Sequence, residues 1–304
     1  MHTHLLLTLL IGAVPSGRAE DARAAATARV CVVTSFYPVY VAALNVVRDA
    51  AAVELVSLTG PAGGCLHDYQ LTPGNRQLLT RAHIFVANGA GMESFLGAVA
   101  GQTPAVKVVN ASRGIELLPA APERDARPHA AGAGEEFNPH VWLSPTLYIR
   151  QVRNIANGLA EHDPPRAELY RRNAGDYVRQ IEGLRTRMRE GLKDIKRRDI
   201  VTGHDAFPYL AREFGLNVVA VVEREPGAEP GAGQMAAIVR AMRGAGVRTI
   251  FVEPQYSPKA AAAIAKEAGA RILTLDPAVT GDATPDAYLR AMERNLAALE
   301  EALK

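Results

Sequence analysis

The sequence predicts an α/β protein with two lobes, each built on a doubly wound parallel sheet, and a long helix that joins them. Three observations support this prediction. Short apolar segments without polar alternation are typical of buried parallel strands, and here they alternate with segments of helical periodicity. This alternation stops after about residue 110 and resumes near residue 199, with a long helical stretch between. A chain of 304 residues is also long enough for two lobes.

The first half of the chain contains four apolar segments that we expect to form strands. They cover residues 29–35, 53–58, 84–87 and 106–109. Helical spacing is expected at residues 40–48 and 73–81 and again from Met92. The segment 119–137 then breaks the pattern, because it is rich in Ala, Pro and Gly mixed with charged residues. We interpret it as a flexible loop.

A long helix is predicted in the middle of the chain. One helical region follows Ser144 and Pro145, and Pro164 and Pro165 interrupt it, with Asp163 expected to cap the next helix. From there to about residue 196 no proline occurs, and apolar residues recur at steps of three or four. About 30 residues at 1.5 Å each give a rod of about 45 Å, long enough to connect two lobes. A short coiled-coil segment is the alternative.

The β/α alternation then resumes. Strands are expected at residues 199–202, 218–222, 249–252 and 271–275, with helices at 209–214, 234–245, 258–268 and 285–303. The predicted organisation is therefore a leader at 1–19, an N-terminal lobe at 20–163, a linking helix at 164–197 and a C-terminal lobe at 198–304.

Composition and charge exclude several classes of protein. The chain is 48% hydrophobic and 22% charged, which is typical of a folded globular protein. It carries 34 basic and 32 acidic residues, so a net charge of +2 gives no electrostatic basis for binding nucleic acid.

The N-terminus resembles a secretory signal peptide. An apolar segment at residues 5–14 is followed by the small-x-small site Gly17-Arg18-Ala19, which predicts cleavage before Glu20. The n-region has no Lys or Arg, so a buried N-terminal helix is the alternative. No other apolar run approaches the roughly 20 residues of a membrane span. We expect a soluble protein outside the cytoplasm. No Cys lies directly after the apolar segment, so a bacterial lipoprotein anchor is not expected.

Three histidines and one aspartate occur in similar contexts. His67, His204 and Asp276 each follow a predicted strand, and His140 lies just before a helix. Ligand sites in open α/β sheets gather at the carboxyl ends of the strands. Three imidazoles and a carboxylate suit a transition metal such as zinc. Each His alone is more often an ordinary surface or hydrogen-bonding residue, so the prediction rests on the recurring placement.

Six short motifs, in order, resemble a known family. They are His67-Asp68-Tyr69-Gln70 with Thr72-Pro73, Asn88-Gly89 through Glu93, Asn138-Pro139-His140-Val141-Trp142, Gly203-His204-Asp205-Ala206-Phe207, Val252-Glu253-Pro254-Gln255 and Leu275-Asp276-Pro277. Together they resemble the zinc/manganese solute-binding proteins of bacterial ABC importers, over nearly the whole mature chain. The resemblance implies two α/β lobes bridged by a rigid helix, with the metal between them.

The resemblance also implies function and ligands. It predicts a periplasmic, monomeric protein without catalytic activity that captures the metal and delivers it to an ABC permease in the inner membrane. The family's ligands fall on His67, His140, His204 and Asp276. Members that handle manganese often have a carboxylate at the position of His204, so this third imidazole favours zinc (Zn2+), with Mn2+ as the alternative.

The sequence departs from the family pattern in two places. Zinc-handling relatives often carry a long His-rich loop before the second ligand, whereas the segment 119–137 contains only His129. Cys65, two residues before His67, is outside the pattern. It is an inert small residue, a disulfide partner of Cys31 or a soft extra ligand, and the sequence leaves these open. Glu253 either orients an imidazole or forms a salt bridge at a strand end.

Two other functions compete with transport. A zinc-dependent hydrolase could use the same three histidines with Glu253 as base, but the chain has no HExxH helix, no GxSxG elbow and no phosphate-binding Gly-rich loop. A binding protein for an organic or chelated ligand would need an aromatic or basic pocket, and the chain has one Trp and no Arg cluster near the motifs.

Overall fold

Two four-stranded parallel sheets organise the part of the chain that a computed structural model describes, which is residues 28–61, 63–64, 66, 69–93, 95, 105–120, 137–223 and 230–304. The first sheet contains β1 (Val30–Thr34), β2 (Val53–Ser57), β3 (Ile84–Ala87) and β4 (Lys107–Asn110). The second contains β5 (Asp199–Thr202), β6 (Asn217–Val221), β7 (Thr249–Val252) and β8 (Arg271–Thr274). All eight expected strands are present, which confirms the α/β prediction.

The two sheets share one topology. Their strand orders are β2-β1-β3-β4 and β6-β5-β7-β8. In each lobe the first strand in the chain therefore has the second strand on one side and the third strand on the other. The register is parallel throughout, for example Val33 beside Phe85 and Val201 beside Ile250. In such sheets ligands bind beyond the carboxyl ends of the two strands that flank this switch point. Those strands are β1 and β3 in the first lobe and β5 and β7 in the second.

Helices cover the sheets. In chain order they are α1 (Tyr37–Val46), α2 (Pro73–Arg81), α3 (Pro145–His162), α4 (Ala167–Gly191), α5 (Pro208–Phe214), α6 (Ala232–Ala245), α7 (Lys259–Ala268) and α8 (Ala287–Leu303). Local sequence explains several starts: Thr72 and Asn75 form a capping box at α2, and Ser144 accepts from the backbone N of Leu147 at α3. Short 3-10 turns at Val141–Leu143 and Pro164–Arg166 precede α3 and α4.

The linking helix is shorter than the sequence predicts. α4 has 25 residues, about 37 Å at 1.5 Å per residue, and residues 164–166 form a 3-10 turn before it. Asp163 stands at the predicted position but does not cap a helix. Its carboxylate instead accepts two hydrogen bonds from Arg166 and one from Tyr170, in a buried cluster. The expectation that Asp163 is an N-cap is therefore wrong.

One continuous hydrophobic core spans both lobes. It includes Val32 and Phe36 from the first lobe, Trp142 between the lobes, and Phe207 and Phe251 from the second. Hydrogen bonds also connect the segment 277–288 with the first lobe. Written from donor to acceptor, they are Tyr37 Oη to Asp282 O, Asn45 Nδ2 to Pro285 O, Trp142 Nε1 to Pro277 O, Tyr288 Oη to Trp142 O and Gly281 N to Pro61 O. The lobes are joined by packing as well as by α4.

Several sequence predictions fall outside the described residues. The leader at 1–19 lies there, as do most of the helical stretch expected from Met92 and residues 121–136 of the predicted loop. At the base of that loop, Pro119 and Phe137 form an isolated antiparallel bridge. Cys31 is a free, buried thiol in β1, and burial raises its pKa. Cys65 lies outside the described part of the chain.

Candidate metal centre

Two of the predicted ligands meet between the lobes. His140 belongs to the first lobe and immediately precedes the 3-10 turn at Val141–Leu143, and His204 follows β5 in the second. Their ring centroids are 5.0 Å apart, with the ring planes at 81°. Only 1% of His140 and 3% of His204 is exposed, so both imidazoles sit in a setting largely shielded from water. This convergence is what the sequence predicted for a site formed by facing lobes.

Glu253 orients His204. It follows β7, the neighbour of β5 across the switch point, and its Oε1 lies 3.2 Å from His204 Nδ1. Gln255 donates to its other oxygen at 3.0 Å. A carboxylate accepts hydrogen bonds, so this contact places the imidazole proton on Nδ1 and the lone pair on Nε2. Of the two roles considered for Glu253, orienting an imidazole is the one that the structure supports.

The first lobe supports His140 in a similar way. His140 Nδ1 lies 3.0 Å from Asn138 Oδ1, and Trp142 lies against the same ring with centroids 5.1 Å apart. Asn88, which follows β3, donates to Pro139 O at 3.0 Å. The loop that carries His140 is thus fixed at the switch point of the first sheet.

A buried polar network reinforces that switch point. Glu93 accepts from the backbone N of Asn88 at 2.7 Å and of Gly89 at 3.0 Å, and burial raises the pKa of its carboxyl group while these bonds oppose the rise. Gln151 of α3 donates to Asn88 Oδ1 and to Ser112 Oγ. The sequence alone does not identify Asn138 and Gln151 as supporting residues. The only available signal was the position of Asn138, two residues before a predicted ligand, His140.

Asp276 has other partners in this structure. It follows β8, as the sequence predicts, and it is buried. Its Oδ1 accepts from Ala278 N at 2.8 Å and its Oδ2 from Arg294 at 3.0 Å. Within the described residues, no group of three or more His, Cys, Asp or Glu side chains is arranged to hold a metal ion. The assignment of Asp276 as a ligand stays a prediction.

His67 lies outside the described residues, together with Asp68. Leu66 is fully buried, and the hydroxyl of Tyr256 lies 3.8 Å from the position of a Cβ built on Gly64. The ring of Tyr256 is in turn 6.4 Å from that of His204. Gly64 therefore approaches Tyr256 of the second lobe, and Tyr256 lies beside His204.

Comparisons with known proteins agree with this geometry. Residues 32–302 match the family model described as the periplasmic zinc-uptake complex component A, ZnuA. The high-affinity zinc uptake system protein of Bacillus subtilis is 32% identical over 282 residues, covering 90% of this chain and 87% of that protein. The zinc-binding lipoprotein AdcA of Streptococcus pneumoniae is 34% identical over 278 residues, covering 89% of this chain and 55% of AdcA. The chain thus spans about half the length of the streptococcal relatives.

Solved structures share the architecture. Zn(II)-bound AdcA of Streptococcus pneumoniae aligns with a TM-score of 0.75 at 32% identity, covering 90% of this chain and 58% of that one. The solute-binding protein FpvC of Pseudomonas aeruginosa, in complex with Mn2+, aligns with a TM-score of 0.78 at 32% identity, covering 90% and 98%. Proteins of this fold therefore include one with Zn(II) bound and one in complex with Mn2+.

Proposed function

The chain belongs to the ZnuA family of periplasmic zinc-uptake components, and on that premise we propose that it captures a divalent transition metal, zinc by preference, and delivers it to an ABC permease. The observation that carries this proposal is the meeting of His140 and His204 from opposite lobes, 5.0 Å apart between ring centroids. In both rings Nδ1 faces an oxygen acceptor, so Nε2 is the nitrogen that binds the cargo ion.

The proposed ligand set is His67, His140, His204 and Asp276. Three imidazole nitrogens and one carboxylate oxygen match the ligands that zinc prefers, whereas manganese favours more oxygen. Each carboxylate oxygen has two lone pairs, so Asp276 can bind an ion while it accepts from Arg294 and from Ala278 N.

The proposal is tested by measuring zinc affinity in competition with a chromophoric chelator. His67→Ala, His140→Ala and His204→Ala are each expected to weaken binding by more than the roughly 10- to 100-fold that loss of a supporting residue costs. His162→Ala, at the partly exposed C-terminal end of α3, is the matched control and should keep the wild-type affinity. Equal losses in all four variants would contradict the ligand assignment.

Zinc preference is tested on the same protein. The metal-free chain is titrated with zinc and with manganese, each in competition with the other. We expect zinc to displace manganese at equal concentrations, because His204 adds a third nitrogen ligand. In His204→Asp the preference should move towards manganese. A wild-type protein that binds manganese more tightly would show that its cargo is manganese.

Delivery without catalysis completes the proposal. The relatives are named for zinc uptake and zinc binding, which supports a transport role. The protein acts as a monomer in the periplasm after removal of residues 1–19. No helix in the described part of the chain combines the length and apolarity needed to cross a bilayer. N-terminal sequencing of protein recovered from the periplasm should begin at Glu20. Zinc-stimulated hydrolase activity that is lost in His204→Ala would instead indicate an enzymatic role.

A further inference from the structure

Asn138 connects the two ligand loops, and every polar group of this buried residue is used. Its backbone N donates to Leu118 O at 2.8 Å, and its backbone O accepts from the hydroxyl of Tyr209 at 2.8 Å. Its side chain reaches His140 on one side and Asp205, the residue after His204, on the other. Resting on the proposed zinc site, we propose that Asn138 is a positioning residue that fixes the tautomer of His140 and couples its loop to that of His204.

The contacts determine which way the amide of Asn138 faces. One end lies 3.1 Å from the backbone N of His140, which can only donate, so this end must be the oxygen. The other end lies 2.8 Å from Asp205 O and 3.4 Å from Asp205 Oδ2, which are both acceptors, so it must be the NH2 group. Reversing the amide would set a donor against a donor and an acceptor against acceptors.

This orientation decides the tautomer of His140. Asn138 Oδ1 lies 3.0 Å from His140 Nδ1, and an amide oxygen can only accept a hydrogen bond. A neutral His140 therefore carries its proton on Nδ1 and presents the Nε2 lone pair to the ion. Glu253 imposes the same tautomer on His204 with a carboxylate. The two lobes use different acceptors for the same purpose.

The NH2 group of Asn138 adds a link that Glu253 does not have. Its bond to Asp205 O joins the loop before α3 to the loop after β5, so the two imidazoles are held by one side chain across the boundary between the lobes. Tyr209, from α5 of the second lobe, strengthens the same connection, because its hydroxyl donates to Asn138 O. The distance between the two rings is thereby set before the ion arrives.

Two substitutions separate these roles. Asn138→Ala removes the acceptor for His140 and the link to Asp205. Asn138→Asp keeps an oxygen facing His140 but turns a second oxygen towards the acceptors of Asp205, so it keeps the tautomer and breaks the link. Asn173→Ala is the matched control, because Asn173 is also buried and donates through Nδ2 to two backbone oxygens, Val46 O and Arg48 O, away from the site.

The experiment combines imidazole 15N NMR of the metal-free protein near pH 8 with zinc competition titrations. We expect His140 to show the Nδ1–H tautomer in the wild type, in Asn138→Asp and in Asn173→Ala, and to populate Nε2–H in Asn138→Ala. Zinc Kd should rise roughly 10- to 100-fold in Asn138→Ala, less in Asn138→Asp and not at all in Asn173→Ala.

The outcomes separate this inference from the proposed function. An Asn138→Ala protein that keeps both the Nδ1–H tautomer and the wild-type Kd overturns the inference. If Asn138→Ala does not fold, the test rests on Asn138→Asp. An Nε2–H tautomer of His140 in Asn138→Asp would also overturn the inference. A wild-type protein that shows the Nδ1–H tautomer but binds no zinc overturns the proposed function and supports the positioning of His140.

Discussion

At the scale of single residues, Glu253 shows that a side chain distant in sequence can orient a residue of the candidate site. Its carboxylate lies 49 positions from His204 along the chain and reaches it only because β5 and β7 are adjacent in the sheet. Both groups are buried, so the bond between them is not weakened by competition with water. Outer partners of this kind commonly orient metal-binding imidazoles and raise their basicity.

We predict that Glu253→Ala weakens zinc binding by about 10- to 100-fold, because His204 Nδ1–H loses its acceptor. Glu253→Gln should weaken it less, since an amide oxygen still accepts. Glu267→Ala, an exposed carboxylate on α7, is the control and should bind zinc as the wild type does. Competition titration measures all three. A Glu253→Ala protein with unchanged affinity would mean that His204 is oriented by other contacts.

The sequence predicted part of this site and missed part. The strand before His204 was evident from the β-branched residues Ile200, Val201 and Thr202, and the loop position followed from it. The acceptors could not be assigned, because Glu253 and Asn138 make contacts that depend on which strands and loops become neighbours. His140 lies two positions from Asn138, yet only the fold shows that the amide faces both His140 and Asp205.

At the scale of elements, α3 is held at its N-terminus and along its length. Ser144 and Thr146 at its start both donate to Glu213, a side chain of α5 in the other lobe. Further along, Gly158 allows the helix to approach β4 closely, and a Cβ added there would lie 2.5 Å from a methyl group of Val109. The helix that begins just after His140 is thus fixed against both lobes.

We predict that Gly158→Ala destabilises the protein. Alanine improves helix propensity by about 1 kcal/mol, but the clash with buried Val109 should cost about 1–3 kcal/mol. In a Val109→Ala background the same substitution should be neutral or stabilising. Gly244→Ala, on α6 with open space around its Cβ, should stabilise. Chemical denaturation measures each free energy of unfolding, and additive effects at Gly158 and Val109 would show that no clash occurs.

The elements also show where sequence patterns reach their limit. Strand positions were predictable, because buried parallel strands are rich in successive apolar or β-branched residues, as in Val30–Thr34 and Ile84–Ala87. The start of α4 was not predictable. Asp163 is a residue type that often caps helices, but its carboxylate accepts a hydrogen bond from buried Arg166 instead. Arg166 in turn donates to Ala28 O and Ala51 O, contacts that no local pattern contains.

At the scale of the whole molecule, the segment 277–288 attaches the second lobe to the first. Tyr37 illustrates this connection, because its hydroxyl donates to Asp282 O at 2.7 Å while the ring is buried. Burial, and then the nearby carboxylates of Asp282 and Asp276, raise the pKa of Tyr37 to about 12. A shared core and bonds of this kind disfavour large movements between the lobes.

Tyr37→Phe should lower the free energy of unfolding at pH 7 by about 1 kcal/mol, because Asp282 O loses its donor. The unfolded phenol releases its proton near pH 10 and the folded one only near pH 12. Between these values the unfolded state binds fewer protons, so wild-type stability falls as pH rises. The difference between wild type and variant should therefore shrink from pH 10 to 12 in denaturation curves. A constant difference would show that Tyr37 has the pKa of a solvated tyrosine.

The path of the chain through the shared core has a consequence for the order of folding. The first lobe is built on β1 to β4, but Tyr37, Asn45 and Trp142 donate hydrogen bonds to backbone oxygens of the segment 277–288. α8, which follows, packs beside α4, where Arg187 pairs with Glu293. A chain that emerges from its N-terminus therefore cannot form these contacts of its first lobe until residues 277–288 are available. The last contacts to form join segments that lie 240 and 245 positions apart along the chain rather than two finished halves.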